Sequence, residues 1–438
     1  MASLVERVEK AVPRVAIIGG GWAGLAAGVE LTRANIEVCL FESAKELGGR
    51  ARRVTHRNEN LDNGIHLLSG AYSATTNLIS DILENKTNQL TFDRRPFEFT
   101  HEDLSIKRSL YQGPGKELLQ ILGASGITWR EKIKLLSLLK TIGDGKFDSK
   151  TPKTVLEFLR GHGQTEKLIT LLWNPICLSA LNTDSKEACA TVFLNVIQDA
   201  LMSGKNCSDF LFPNTDLTSV FPELAATFIE SRNGEIYLGK RGLAERLKVN
   251  QIKIRGHNQT FTHLIIATSP HNVASSLQEP TIISKSTDII NELNYEPIYS
   301  IYHQYKPGTT TNAHMIGVQS EVAQWIFDRK LTHGQDGLIG VVISGSGSHQ
   351  KLGHPELIRR SAQFLNSKFN FGTPQWSKVI AEKRATFHCT PNLKRPNQQT
   401  ECDDIILAGD YTYERYPATL EAAVRSGLIA AKLVIQKT

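Results

Sequence analysis

The sequence predicts an α/β fold: a Rossmann-type nucleotide-binding domain with an interleaved α+β substrate domain. Three observations carry this. A short apolar run, Val15-Ala16-Ile17-Ile18, leads at once into Gly19-x-Gly21-x-x-Gly24 and a helical pattern. Two more buried-strand patterns, Leu264-Ile265-Ile266-Ala267-Thr268 and Ile405-Ile406-Leu407-Ala408-Gly409-Asp410, recur far downstream. The stretches between differ from them, helix-rich over 100–230 and β-like over 290–390. The nucleotide domain is therefore expected from 1–95, 231–280 and 396–438, and the substrate domain from 96–230 and 281–395.

Taken in order, the first apolar run reads as a parallel strand buried on both faces. Leu25 to Leu31 follows as a helix, Asn35 marks its end, and Glu37-Val38-Cys39-Leu40-Phe41-Glu42 is a second strand ending in an acid. Each glycine has its own role, with Gly19 for the tight turn, Gly21 for close approach to a pyrophosphate and Gly24 for helix–strand packing. The helix start offers free N–H groups to the phosphates. Glu42, eighteen residues after Gly24, is placed to accept from ribose hydroxyls and to repel a 2′-phosphate. Further on, helical patterns occupy Arg130 to Ile142 and Thr154 to Arg160. β-like runs occupy Ile298 to Tyr302 and Gly337 to Ile343, and a last helix runs from Thr419 to about Ile435.

Composition narrows the class. The 438 residues suit two or three domains. Hydrophobic residues at 40% and charged residues at 21% exclude a disordered chain, collagen and a coiled-coil rod. The balance of 50 basic to 44 acidic residues, +6, permits weak attraction to anionic membranes and gives no argument for nucleic acid. Six cysteines, at 39, 177, 189, 207, 389 and 402, form no CxxC pair and no metal-ligand spacing, so reduced thiols in a cytoplasmic protein are expected. No apolar run reaches the roughly eighteen residues of a spanning helix. The segment Met1 to Lys10 carries acids and no signal-peptide core. The expected location is the cytoplasm, with a peripheral seat on the inner face of the cell membrane left open.

The residues after Glu42 separate FAD from NAD. Leu47-Gly48-Gly49-Arg50 permits a close backbone pass and offers a guanidinium fork to a pyrophosphate. At the far end, Asp410 can bind a ribityl hydroxyl, and the helix from Thr419 can aim its N-terminus at the flavin N1–C2=O edge. Together the Gly-Gly-Gly-Trp-Ala-Gly turn, Glu42, Gly-Gly-Arg and the Ala-Gly-Asp close resemble the FAD-dependent amine oxidase and phytoene desaturase superfamily over the whole chain. Three segments are similar, more narrowly, to the hydroxysqualene dehydroxylases, formerly squalene-associated desaturases. They are Asp62 to Tyr72, Trp173-Asn174-Pro175 through Thr183, and Ser208-Asp209-Phe210-Leu211-Phe212-Pro213.

The resemblance implies non-covalent FAD held by Gly19, Gly21, Trp22, Ala23, Gly24, Glu42, Gly49, Arg50, His66, Gly242, Gly409, Asp410, Thr419 and Leu420. It implies reductive removal of the hydroxyl of hydroxysqualene to give squalene, in hopanoid and squalene biosynthesis. At Gly242 the chain departs from the superfamily, where a residue such as Val touches the adenine through its backbone. Covalent members attach flavin near the C-terminal flavin loop, where neither Cys177 nor Cys189 lies.

Removing an allylic hydroxyl requires either a protonating acid or pyrophosphate-like activation of a poor leaving group. The sequence shows no Mg²⁺-binding acid cluster, so a general acid is the simpler expectation, with a dry, aromatic-lined pocket favouring the developing cation. Two residues are candidate acids. His66 follows the Gly-Gly-Arg loop, with an ordinary pKa of roughly 6.5 that suits a proton donor, and Asp62 is a candidate to hold it. Asp209 borders the apolar run 210–212, where burial without a partner would raise its pKa. For both, a purely structural role stays open. Tyr72, Tyr411, Tyr413 and Tyr416 are candidate pocket walls or simply core.

The basic, leucine-rich pattern Arg130 to Lys140 suits an interfacial helix as well as a surface helix packed on the core. The synthase that makes hydroxysqualene is a candidate for direct handover. The other readings are an oxidative carotenoid desaturase, an amine oxidase, for which no flavin-contacting lysine can be placed, and a polyisoprenoid-binding flavoprotein without turnover.

Overall fold

The computed structural model describes residues 13–83, 92–109, 116–145, 151–202, 204 and 206–437. The N-terminal segment Met1 to Lys10 lies outside them. Five parallel strands form the nucleotide-side sheet: β1 (Arg14–Ile18), β2 (Glu37–Glu42), β10 (Glu235–Leu238), β14 (His263–Ile266) and β20 (Ile405–Leu407), ordered β10-β2-β1-β14-β20. Every residue of β1, β14 and β20 is buried. Successive side chains alternate faces. Ala16, Ile18, Leu264 and Ile266 accordingly point into one core, while Val15, Ile17 and Ile265 point into the other. Continuous apolar runs rather than alternating ones are what such a double-faced sheet requires.

On the second core lie α1 (Trp22–Arg33), α9 (Leu217–Val220), α10 (Pro222–Glu230) and α14 (Leu420–Ile435). Helix α1 meets α14 at glycine: a Cβ on Gly427 would lie 2.1 Å from the Ala23 carbonyl oxygen. It meets α10 at Gly28, where a Cβ would lie 2.7 Å from Ile229 Cδ1. Residues 217–230 thus pack with the nucleotide-side sheet, whereas the sequence pattern puts them in the substrate domain. Their apolar period faces α1, and periodicity alone does not say which neighbour it faces. An antiparallel sheet of β11 (Ala244–Lys248), β12 (Gln251–Ile254) and β13 (Thr260–Phe261) precedes β14.

The other half is a seven-stranded sheet. Its strands are β7 (Phe99–His101), β8 (Leu104–Ile106), β15 (Tyr295–Gln304), β16 (Met315–Ser320), β17 (Ala323–Asp328), β18 (Leu338–Ser344) and β19 (Trp376–Phe387). They are ordered β19-β15-β18-β17-β16-β7-β8. Helix α13 (His354–Phe369) covers the outer face through Leu357 and Leu365, and α11 (Ser284–Asn291) precedes β15. Helix α12 (Arg329–His333) follows β17 directly. Helices α3 (Lys116–Leu122), α4 (Trp129–Gly143), α5 (Val155–Gly161), α7 (Asn174–Leu181) and α8 (Ala190–Met202) close the inner side. A short α6 (Glu166–Leu168) enters α7 through a π turn, Ile169–Trp173. Thr128 and Glu131 form a reciprocal capping box that starts α4 where the sequence pattern begins.

Between the halves run the hairpin β3 (Arg53–His56) with β4 (Glu59–Asp62), and the sheet of β5 (Leu68–Ser69), β9 (Phe210–Pro213) and β6 (Phe92–Arg95), with α2 (Ser73–Ile82) after β5. Among the described residues, no helix is long and apolar enough to cross a membrane.

Candidate functional site

A cavity of about 790 Å³ runs from the tips of β1, β2 and β14 to the inner face of the seven-stranded sheet. Its nucleotide end is built from backbone. Gly19 has φ +112°, and a Cβ there would lie 2.6 Å from the Ala267 carbonyl oxygen; a Cβ on Gly24 would lie 2.0 Å from the Gly19 oxygen. Gly21 instead faces Gly49 across the cavity mouth, with Gly48 N–H donating to the Gly20 oxygen at 2.9 Å. No side chain caps α1 at Gly21, so its first-turn N–H groups are left for an anion. The turn at Gly19 and the close helix–strand packing at Gly24 are where the spacing puts them. Trp22 and Ala23 also line this end, Trp22 with its indole N–H turned to the Ala51 oxygen at 3.2 Å.

Glu42 stands at the β2 tip, held by the Gly20 and Ala44 N–H groups, both at 2.7 Å. Gly242 lines the cavity beside Ile18, and a Cβ there would lie 2.7 Å from Ile18 Cγ1. A side chain at 242 would therefore have to displace Ile18. Thr268 Oγ1 is buried without a partner and belongs to the cavity wall.

Arg50 reaches across the cavity. Its Nη2 donates to Asp410 Oδ1 and its Nη1 to the Ala385 oxygen, each at 2.6 Å. The guanidinium fork is held on the cavity wall by these two bonds. One carboxylate oxygen of Asp410 is occupied in the same way. Gly409 (φ +153°) sets this turn over the Tyr411 ring, and Thr419 caps α14 by accepting from Ala422 N–H at 3.1 Å. Thr419 and Leu420 line the cavity, so the α14 start faces it as expected.

His66 lines the cavity within the influence of the Arg50 charge. Burial first, and then the Arg50 guanidinium, lowers its pKa to about 4. The imidazole is neutral at pH 7, which removes the argument from an ordinary histidine pKa. Asp62 does not hold it. Asp62 is buried against Arg329 (2.9 Å) and accepts from Leu217 N–H (2.8 Å). Tyr72 lines the cavity close to Thr419, and burial raises its pKa.

Asp209 is a correction. It is buried beside Arg94 at 3.6 Å and is not on the cavity wall; its neighbours Ser208 and Phe210 are. Alternation along the β9 segment turns Asp209 away from the space that Phe210 enters. Tyr411, Tyr413 and Tyr416 are likewise off the wall. Tyr411 supports Gly409 from beneath, and Tyr416 bonds Asp199. Among the described residues no cysteine lines the cavity, and burial raises the pKa of the Cys177 and Cys389 thiols.

The far end is apolar, walled by Phe97, Phe99, Leu172, Trp173, Trp325 and Phe327. The segment 173–183 contributes Trp173, Ile176, Ser179, Ala180 and Asn182. Sequence reasoning missed Glu382, Thr386 and Trp325, which stand on β19 and β17. Among the described wall residues the ionisable groups are Glu42, Arg50, His66, Tyr72, Arg241, Glu382 and Asp410.

An uncapped helix start, a carboxylate at a strand tip, a buried hydroxyl and a second helix start on the cavity wall suit a long dinucleotide such as FAD. The match to flavin-containing amine oxidoreductases covers residues 22–435, and the chain belongs to that family, with FAD as its cofactor. Within it, the chain is 30% identical to hydroxysqualene dehydroxylase of Zymomonas mobilis, over 96% of this chain and 98% of that one. It is 27% identical to the enzyme of that name from Rhodopseudomonas palustris, over 96% and 98%. The 15-cis-phytoene desaturase of an Oncidium hybrid cultivar is 22% identical, over 96% and 78%. Among solved structures, cyclohexylamine oxidase from Brevibacterium oxydans superposes with a TM-score of 0.71 at 16% identity, over 97% and 99%, and shares the fold.

Proposed function

We propose that this FAD-dependent oxidoreductase reductively removes the hydroxyl of hydroxysqualene to give squalene. The observation that carries the reading is a cavity whose wall holds both the glycine-rich helix start and an aromatic, aliphatic chamber, in a chain similar over 96% of its length to hydroxysqualene dehydroxylases. The lower identity to phytoene desaturases, 22%, makes oxidative desaturation the second reading.

FAD, when bound and fully reduced, would supply the hydride that replaces the hydroxyl and the proton with which that hydroxyl leaves as water. The chain's own residues do the rest. The uncapped start of α1 and Glu42 hold the adenosine diphosphate half. Arg50, tied to Asp410, braces the flavin end. The apolar walls exclude water from a developing allylic cation. His66, neutral and on the cavity wall, is placed to donate a hydrogen bond to the departing hydroxyl. A substrate this apolar is drawn from a membrane surface or handed over by the synthase that makes it.

The test is direct. Purified protein should be yellow and release flavin on heating. Held anaerobically with reduced FAD and hydroxysqualene, it should form squalene. Flavin reduction by phytoene, with no squalene formed from hydroxysqualene, would replace this reading by the desaturase.

A further inference from the structure

Nine large apolar side chains are exposed among the described residues, and four of them sit on two consecutive helices: Leu118 (46%) and Leu119 (48%) on α3, Trp129 (65%) and Ile133 (64%) on α4. Isolated exposed leucines need no explanation, but a cluster does. The inner faces of these same helices line the cavity, through Gln120 and Ile121 on α3 and Leu135 and Leu139 on α4. At 3.6 residues per turn, Trp129, Ile133, half-buried Leu136 and Lys140 share one stripe. Leu136 is the member of that stripe on the side towards the cavity-lining Leu139. Exposed Arg130 and Lys134 form the next stripe outward. The acid in this part of α4, Glu131, is turned inward, bonded to Thr128 and Thr165.

The two helices thus carry apolar side chains both on the cavity wall and on the outer surface, with Arg130 and Lys134 beside the outer ones. Trp129 has the aromatic-plus-cation setting of an interfacial anchor, with Lys132 Nζ 4.9 Å from its ring centre and bonded to the Leu122 oxygen at 2.6 Å.

We propose that the α3–α4 face docks on a bilayer containing anionic lipid, and that substrate passes between membrane and chamber at this face. The occupant follows from charge and chemistry: Arg130 and Lys134 match anionic headgroups, and an apolar stripe on the helices that wall a chamber for a water-insoluble chain matches the hydrocarbon beneath. The proposal rests on the lipid-substrate reading and deepens it.

The test uses the FAD-loaded full chain and vesicles of dioleoylphosphatidylcholine with or without dioleoylphosphatidylglycerol. Wild type should sediment with the phosphatidylglycerol vesicles, less so at high salt, and brominated lipid should quench Trp129 fluorescence. The combined variant Leu118→Ser, Leu119→Ser, Trp129→Ser, Ile133→Ser should lose about tenfold or more in vesicle binding. It should also raise KM for vesicle-borne hydroxysqualene and leave turnover of detergent-dispersed substrate unchanged. Arg130→Glu with Lys134→Glu should remove the phosphatidylglycerol preference. Vesicle binding equal in wild type and the serine variant would overturn the proposal. So would a solution dimer that the same serine variant dissociates, since a second copy would then cover the face. Squalene formation without vesicle binding would sink this inference alone. Vesicle binding without squalene formation would sink the proposed reaction instead.

Discussion

Asp62 Oδ2 and Arg329 Nη1 meet at 2.9 Å with their side chains 3% and 1% exposed, tying the end of β4 to the first residue of α12. Tyr302 Oη adds a bond to the Asp62 oxygen at 2.9 Å. The loop that leaves Asp62 carries Asn63 to Leu67 along the cavity wall. The pair therefore fixes His66 relative to the substrate sheet. Burial raises the Asp62 pKa, and the Arg329 guanidinium is the main influence opposing that rise. Arg329→Met should destabilise the fold by about 3–5 kcal/mol, because it leaves a buried carboxylate without its cation. Denaturant unfolding checks this. Asp62→Asn in the Arg329→Met background should recover part of the loss, and a loss below about 1 kcal/mol in the single variant would refute the assignment.

Gly242 gives a steric prediction. Gly242→Val should weaken FAD binding, since the new side chain meets Ile18 at the tip of β1. Ile18→Ala in the same chain should restore it by opening that space, although Ile18→Ala alone costs stability through the cavity it leaves. Flavin content after gel filtration is the measure. Full yellow colour in the single Gly242→Val variant would show that the backbone there yields freely.

Glu42→Arg is the matching electrostatic prediction. The carboxylate anchors on Gly20 and Ala44 N–H groups at the place where ribose hydroxyls would bond. Reversing its charge should abolish FAD retention. Retained flavin would show that the ribose lies elsewhere.

The nucleotide half is legible in the sequence because its physics is local. A buried strand, a glycine turn and a helix start are consecutive residues, and Gly19, Gly24, Glu42 and Thr419 stand where the pattern puts them. The substrate half is less legible because its contacts are long-range. Nothing adjacent to Asp62 in sequence announces Arg329, and the wall residues on β17 and β19 look like any half-buried strand. Asp209 misleads for the same reason. Its apolar neighbours are visible in the sequence, but Arg94, on the paired strand β6, is not.

Kinetics should separate His66 from Asp209. His66→Ala should lower kcat by about 10²-fold or more at equal flavin content, the range of a positioned proton or hydrogen-bond donor. Asp209→Asn should leave kcat within about twofold, since its side chain faces Arg94 rather than the cavity. Equal loss in both, or in neither, would remove His66 from the reaction.

Acid stability follows from the buried histidines. His303 is fully buried between Ser361 Oγ (3.0 Å) and Ser377 Oγ (2.8 Å), and burial lowers its pKa from 6.5 to about 4. His333 is lowered further, to about 2, by burial and then by Arg329. Both must be neutral in the folded chain, whereas the unfolded chain protonates them below about pH 6.5. Their contribution is complete above that pH and declines as the pH falls towards the folded values, by about 1.4 kcal/mol per pH unit for each histidine. At pH 5, His303 alone should account for about 2 kcal/mol of lost stability. His303→Asn should start from a lower stability at about pH 7.5 and lose about 2 kcal/mol less than wild type on going to pH 5. Urea denaturation at the two pH values measures the difference, and an unchanged pH dependence in the variant would show that this imidazole takes up no proton on unfolding.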